Sequence, residues 1–407
     1  MLQYLYLIIV LSFTLAGDSL FNVAIIWRVL AQGGSAKTLG LFLCLVTILI
    51  FILQEFSGKF KKLLQSNPQR SFTWVRITGV ISSLGFLPLL WRENTVMLYL
   101  AGMIFAILSF LTMITVEAIM GEEVLHGRLS SNKASRILQT AIQISAFLGA
   151  SIAGFVLSIG NMKSVLIVNA MTYASGALFF ILLSRHIKSK NNIKQSSNDS
   201  SNKLFRVTHT GILWVSLIGL AILTLQISAF NFLVPFISQY EKAWTATEFG
   251  YIDAAAGLGA FFCTFVMTER GYLSYIWLFS FIGILIGDCL FRFLNNPYYV
   301  AVGVFFLGFF VNAFRIKLRE FMYESVSSTN EILLWTGRMT AMNAFIKAVS
   351  PLALAFITLK PTQNFMILGF LITLCFILIE VIYFTVSGTY RNKTILQNLN
   401  KASFPTT

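Results

Sequence analysis

The feature that most constrains this chain is a series of apolar runs of about 20 residues, separated by short polar breaks. Soluble domains carry roughly 25% charged residues, whereas this chain carries 11% and is 57% apolar. A water-soluble fold cannot hide that much apolar surface, but lipid can cover it. In lipid, backbone polar groups must be paired within helices or closed barrels, and these runs are too long and continuous for barrel strands. We therefore predict an all-α integral membrane protein.

One long polar stretch divides the chain into two apolar halves. Residues 186–208 are rich in Ser, Asn and Lys and lie near the middle of the 407 residues. Twelve transmembrane helices are predicted, at about 4–30, 38–57, 72–91, 95–120, 135–158, 164–184, 210–237, 246–268, 273–293, 297–318, 334–358 and 364–386. We expect a six-helix bundle over 1–185, a central linker over 186–208, a second six-helix bundle over 209–388 and a short tail over 389–407.

The distribution of basic residues predicts the orientation in the membrane. With the N-terminus inside, 22 of the 30 Lys and Arg fall on the cytoplasmic side and six fall in the outer breaks. Arg76, near the start of the third segment, is counted with the basic residues of the cytoplasmic break that precedes it, while Arg292 and Lys347 are counted as lying within membrane segments. Both termini and the linker are therefore expected to be cytoplasmic. The same bias accounts for the net charge of +14 without a nucleic-acid partner.

Several function classes are disfavoured by the same pattern. The outer breaks are short and the chain has no nucleotide-binding P-loop, so any activity must reside in the membrane bundle. The four cysteines lie inside apolar runs without the pair spacing of a metal site or a disulfide framework. We expect no metal, no cofactor and no enzymatic role.

An internal repeat supports two related halves. Shifting residues 117–153 by 202 positions aligns Glu122 with Glu324 and Arg136 with Arg338. Charge is scarce in this chain, so these two matches at one offset carry more weight than the apolar matches around them. Parallel six-helix repeats related by an axis along the membrane normal are a known plan of transporters.

Three motifs give the chain a family resemblance: Gly17-Asp18 with 22–27 and 33–36, the glycine-bounded 149–154, and Gly337-Arg338 followed by Pro351. By these motifs it resembles the major facilitator superfamily, and within it the bacterial macrolide-efflux and enterobactin-exporter-like branch. The resemblance implies alternating access of two bundles, export of an amphipathic small molecule, function as a monomer and a bacterial inner membrane location. One departure lies in the loop between the second and third segments, where Lys62, four residues after Gly58, occupies a position that is acidic in the family. The loop therefore keeps only the basic character of the family's gating motif.

Two carboxylates are candidates for proton coupling. A charge at the bilayer centre costs about 2.5–3.5 kcal/mol on insertion scales, so it marks function by default. Asp18 lies near the middle of the first segment, with Asn22 one turn on and on the same face. Burial disfavours the charged form of a carboxyl group, which makes Asp18 the first candidate; a structural hydrogen bond to a neighbouring helix is the alternative. Glu117 is the second candidate, and pairing with Arg136 is its alternative.

A buried cation is the main candidate for substrate contact. Lys347 lies in the middle of the eleventh segment, with Asn343 one turn before it, and needs an anionic partner from either the protein or a substrate. Further polar groups that we expect in the cavity are Gln226, Asn231, Asn312 and Arg315. Structural or gating roles are expected for Gly58, Arg136, Gly149, Gly154 and Arg338. Asp288 and Arg292, four residues apart, are expected to neutralise each other.

The leading hypothesis is a secondary active transporter that couples protons to the export of an amphipathic small molecule such as a drug, a secondary metabolite or a siderophore. Lys347 favours an anionic substrate among these. Uptake of a ferric siderophore or another solute is the alternative within transport, because the sequence does not encode direction. A non-transporting membrane scaffold or sensor is the alternative outside it.

Overall fold

The computed structural model describes residues 2–32, 35–56, 67–89, 94–125, 131–188, 210–266, 279–324 and 329–357. These ranges contain eleven α-helices and no strand. The helices are α1 (Leu2–Ala31), α2 (Ala36–Phe56), α3 (Pro68–Leu89), α4 (Thr95–Leu125), α5 (Ser131–Ile159), α6 (Met162–Lys188), α7 (Thr210–Tyr240), α8 (Ala246–Val266), α9 (Ser280–Phe293), α10 (Pro297–Glu324) and α11 (Thr329–Ile357).

The described helices follow the predicted segments in order. Seven of them are long and apolar enough to cross a membrane, judged by length and composition. The all-helical prediction is therefore confirmed for the described residues. The predicted twelfth segment at 364–386, the tail, and the linker beyond Lys188 lie outside them.

Small residues allow the helices to approach closely. Within the first half α1 packs against α5 and α6, and α3 packs against α4 and α6. At Gly149 of α5 an added Cβ would lie 2.7 Å from the carbonyl oxygen of Ala16 in α1. Apolar side chains gain no hydrophobic energy by leaving lipid for each other, so membrane helices depend on such close van der Waals packing.

Two helix pairs join the halves most extensively, α5 with α8 and α2 with α11. Gly154 of α5 faces Gly250 of α8, with Cβ positions blocked by backbone on both sides. At the same end the rings of Trp27 and Phe249 stack with centroids 5.2 Å apart. The halves are therefore in contact at the end of the bundle where α1 and α5 finish.

Gly154→Ala tests whether the α5–α8 contact depends on a bare backbone. The new Cβ would lie 2.9 Å from the Ala246 carbonyl oxygen and 3.0 Å from Cα of Gly250, so the helices must separate. Overpacking of this kind costs about 1–3 kcal/mol, and we expect a lower midpoint of thermal unfolding in detergent. Gly85→Ala is the matched control, since nothing lies within 4 Å of its Cβ position. Equal midpoints for the two variants would contradict the expectation.

Candidate functional site

A cavity of about 460 Å³ lies between the two halves of the protein. Helices α1, α2, α4, α5 and α6 form most of its wall, and α7 and α11 contribute from the second half. Aliphatic and aromatic side chains cover most of the surface. The polar side chains on the wall are Asp18, Ser19, Asn22, Thr47, Ser109, Ser145, Tyr173, Ser228, Asn231 and Lys347. A mostly apolar cleft with a few polar groups is the usual character of a small-molecule site.

Asp18 is the centre of a buried ion pair. Its Oδ2 accepts a hydrogen bond from Nη2 of Arg76 at 3.1 Å, and its Oδ1 accepts one from the Tyr173 hydroxyl at 2.6 Å. The Arg76 side chain is fully buried and that of Asp18 is 6% exposed. The acid, the cation and the phenol come from α1, α3 and α6, so three helices of the first half meet at this carboxylate.

The assignment of Arg76 to a polar break was wrong. Arg76 lies inside α3, with its guanidinium 4.7 Å from the ring centroid of Tyr173 and 5.2 Å from that of Phe72. The carboxylate and the two rings together offset the cost of removing this cation from water. A basic residue near the start of an apolar segment resembles one that snorkels to the surface. In the structure Gly79, one turn on, faces the Tyr173 ring, and its lack of a side chain leaves room for that ring.

Three further predicted residues, Asn22, Asn231 and Lys347, share the cavity with Asp18. All three are exposed to the cavity space. The backbone oxygen of Lys347 accepts a hydrogen bond from the Thr47 hydroxyl at 3.1 Å, which joins α11 to α2. The structure thus brings an acid and a base onto walls contributed by different halves.

Other predicted cavity residues lie in contacts between helices and are not part of the described cavity wall. The Asn343 side-chain oxygen accepts a hydrogen bond from the Thr224 hydroxyl at 2.6 Å. Nδ2 of Asn312 donates to the carbonyl oxygen of Ala260 at 2.8 Å. Arg315 donates to Asn312 at 2.6 Å and to Gln139 of α5 at 3.4 Å. These side chains connect α11 to α7, α10 to α8 and α10 to α5.

Asp288 does not form the predicted ion pair with Arg292. The buried carboxylate of Asp288 is bound by Nε2 of Gln226, at 3.2 and 3.4 Å from its two oxygens. The guanidinium of Arg292 instead lies 5.9 Å from the ring centroid of Phe293. The spacing of four residues permits a pair, but the carboxylate faces α7, where an amide is within reach.

The remaining predicted residues lie away from the cavity or outside the described part of the chain. Glu117 is exposed on α4 and is not part of the described cavity wall. Arg338 is exposed, with its guanidinium 4.8 Å from the ring centroid of Trp335. The structure does not describe the side chain of Arg136. Gly58 and Lys62 lie outside the described residues.

Arg76→Gln tests the ion pair. It leaves the Asp18 carboxylate without its cation, and breaking a buried pair from one side costs about 3–5 kcal/mol. We expect a clearly lower thermal midpoint in detergent, and partial recovery when Asp18→Asn is added, because the uncompensated charge is then gone. Arg70→Gln, at an exposed position of the same helix, is the control and should change little. A double variant no more stable than Arg76→Gln alone would argue against the pair.

Comparisons with known proteins place the fold. No protein-family model and no curated protein sequence matches the chain. Among solved structures it is similar to a bacterial homologue of the iron transporter ferroportin in an inward-facing state, with a TM-score of 0.65 and 13% identity over 95% of this chain and 99% of the other. It is also similar to the nucleoside transporter NupG, with a TM-score of 0.63 and 13% identity over 94% and 99%.

A third similar structure is the human organic anion transporter MFSD10, with a TM-score of 0.58 and 12% identity over 92% of this chain and 99% of the other. These likenesses extend over nearly the whole length of every chain compared, and they concern the fold. None of these three structures is described as a macrolide or enterobactin exporter, so the efflux branch suggested by the sequence motifs stays a prediction. The chain has the fold of the major facilitator superfamily transporters.

Proposed function

We propose that this protein is a secondary transporter that carries an amphipathic small molecule across the membrane by alternating access. The observation that carries the proposal is the cavity between the halves, with apolar walls and polar groups contributed by both. Transporters built from related halves bind their substrates near the midplane at the interface of the repeats. The fold shared with transporters of iron, nucleosides and organic anions supports this assignment.

The charges at the cavity favour a substrate with an anionic group. In the described residues the charged side chains on the wall are Asp18 and Lys347, and Arg76 offsets Asp18 at 3.1 Å. The ammonium group of Lys347 on the wall would attract a carboxylate, a phenolate or a similar anion. A siderophore with acidic oxygen groups has this chemistry, as do organic anions generally.

The proposed orientation puts one set of contacts between the halves on the outer side of the membrane. Once Arg76 is removed from the cytoplasmic count, 21 basic residues still lie inside against six outside. Both termini are then cytoplasmic, and the contacts of Trp27 with Phe249 and of Gly154 with Gly250 lie at the outer end. The Tyr240 hydroxyl also donates to the Leu30 carbonyl oxygen there at 2.9 Å. A cavity closed on the outside receives its substrate from the cytoplasm in an exporter and releases it there in an importer.

Proton coupling is proposed at Asp18. A proton on the carboxylate neutralises it and weakens its hold on Arg76, so proton binding and the ion pair compete for the same oxygens. Glu117 on α4 stays the second candidate. The opposite direction, uptake of a ferric siderophore or another solute, uses the same site.

A membrane scaffold or sensor is the alternative in a different class. The Asp18–Arg76 pair is neutral overall, so its burial alone suits a scaffold as well as a carrier. The cavity and the placement of Lys347 on its wall favour the carrier.

Lys347→Gln tests the anionic substrate. Charge-assisted hydrogen bonds contribute about 1.5–3 kcal/mol, so binding of an anionic ligand should weaken roughly 10- to 100-fold, while neutral analogues are unaffected. Affinity is measured on purified protein with fluoroquinolones, macrolides, and apo and ferric siderophores. Lys37→Gln is the matched control, because Lys37 is an exposed lysine at the start of α2 near Phe356. Equal affinity in wild type and Lys347→Gln would refute the role of this charge.

Asp18→Asn tests the coupling site. The amide cannot take up a proton, so ligand-triggered proton release from detergent-purified protein should occur in wild type and be lost in the variant. Glu241→Gln, which removes an exposed acid outside the cavity, should release protons like wild type. Ligand binding without proton release in wild type would exclude Asp18 as the coupling site. Failure of the whole panel to bind would favour the scaffold.

A further inference from the structure

A second buried carboxyl group lies in the other half of the protein, where α7 and α9 meet. The Asp288 side chain is fully buried and Gln226 is 1% exposed. Nε2 of Gln226 approaches both carboxylate oxygens, at 3.2 and 3.4 Å. Neither side chain is part of the described wall of the central cavity. The pair therefore forms a polar site separate from Asp18.

The surroundings of Asp288 hold no compensating cation among the described residues. Among the described residues Asp18 forms an ion pair with Arg76, whereas Asp288 forms none. On α9 itself its titratable or charged neighbours are Cys289, which adjoins it in sequence, and Arg292, whose guanidinium lies over Phe293. An ionised carboxylate that is buried without a partner is strongly disfavoured and usually becomes neutral by binding a proton.

The other helices packed around this position present neutral groups. From α7 the contact is the Gln226 amide. Beside Asp288, Gly287 of α9 packs against Gly303 and Leu307 of α10, which brings backbone and an aliphatic side chain to this face. The site is therefore enclosed by protein and, in the described residues, contains a single acid with a single amide.

The side-chain oxygen of Gln226 lacks a hydrogen-bond donor that a protonated Asp288 would supply. Oε1 of Gln226 is buried and has no hydrogen-bond partner among the described residues. An ionised carboxylate only accepts hydrogen bonds, whereas a carboxylic acid also donates one. With a proton on Asp288, its O–H can donate to Oε1 while Nε2 donates to its other oxygen, which closes a ring of two hydrogen bonds. A buried acceptor left without a partner costs about 1–3 kcal/mol, so the neutral acid satisfies both residues at once.

We propose that Asp288 and Gln226 form a proton-binding site in the second half of the protein, with Asp288 held as the neutral acid. The site is additional to Asp18 and does not depend on which substrate is carried. Release of its proton requires water or another proton acceptor to reach a buried position between α7 and α9. Whether Asp288 keeps or releases its proton therefore depends on how closely these two helices pack.

Infrared spectroscopy of purified protein in detergent at neutral pH tests the proposal without any substrate. The carbonyl stretch of a protonated carboxyl group, identified by its shift in D₂O, should appear in wild type and in Asp18→Asn. It should be lost in Asp288→Asn, whose amide keeps the shape and the hydrogen bonds to Gln226. A band that persists unchanged in folded Asp288→Asn, or is absent from wild type, would overturn the proposal.

Gln226→Leu keeps the test decisive if Asp288→Asn fails to fold. Loss of the amide removes the hydrogen bond to the acid carbonyl, so the band should move to higher frequency. An unmoved band would show that the proton lies on another residue. Titration with sodium tests whether the site binds a metal cation instead of a proton. Loss of the band together with a higher thermal midpoint in wild type, with neither change in Gln226→Leu, would assign a metal cation and overturn the proposal. Because no transported ligand is used, these results stand whether or not the proposed transport is observed.

Discussion

The structure depends on neutralising charge inside a bundle that lipid surrounds. Asp18 can lie in the middle of α1 because Arg76 and Tyr173 reach it from α3 and α6. A lone ion in that position would be far more costly than the pair, so the three helices are fixed relative to one another by the chemistry of one carboxylate. The same geometry leaves Asp18 on the cavity wall, where it can act on a substrate or a proton.

The two halves solve the same problem with different chemistry. In each half a buried polar contact joins the first and third helices, α1 with α3 through Asp18 and Arg76, and α7 with α9 through Gln226 and Asp288. The first contact is ionic and the second is an acid with an amide. A proton therefore competes with a cation at Asp18, but adds a hydrogen bond at Asp288.

Contact between the halves depends on small residues. Gly154 and Gly250 bring α5 and α8 together through backbone, and Gly40 of α2 lies against Pro351 and Ala355 of α11. Hydrogen bonds cross between the halves as well, from Thr47 to the Lys347 backbone, from Arg315 to Gln139 and from Tyr240 to the Leu30 backbone. The buried ion pair of Asp18 with Arg76 lies within the first half, and the contact of Gln226 with Asp288 lies within the second. That division suits two bodies that rock against each other around a central cavity.

The sequence by itself determined the helical class, the order of the eleven described helices and the common face of Asp18 and Asn22, because hydropathy and helical periodicity are local properties. It could not identify the partners of the buried charges. Arg76 resembled a residue of a polar break, and Asp288 had a cation one turn away on its own helix. Which groups meet depends on the faces that α3 and α9 turn toward α1 and α7, and that is decided by packing between helices distant in sequence. Only the tertiary structure supplied that information, including the amide whose free oxygen marks Asp288 as a site for a proton.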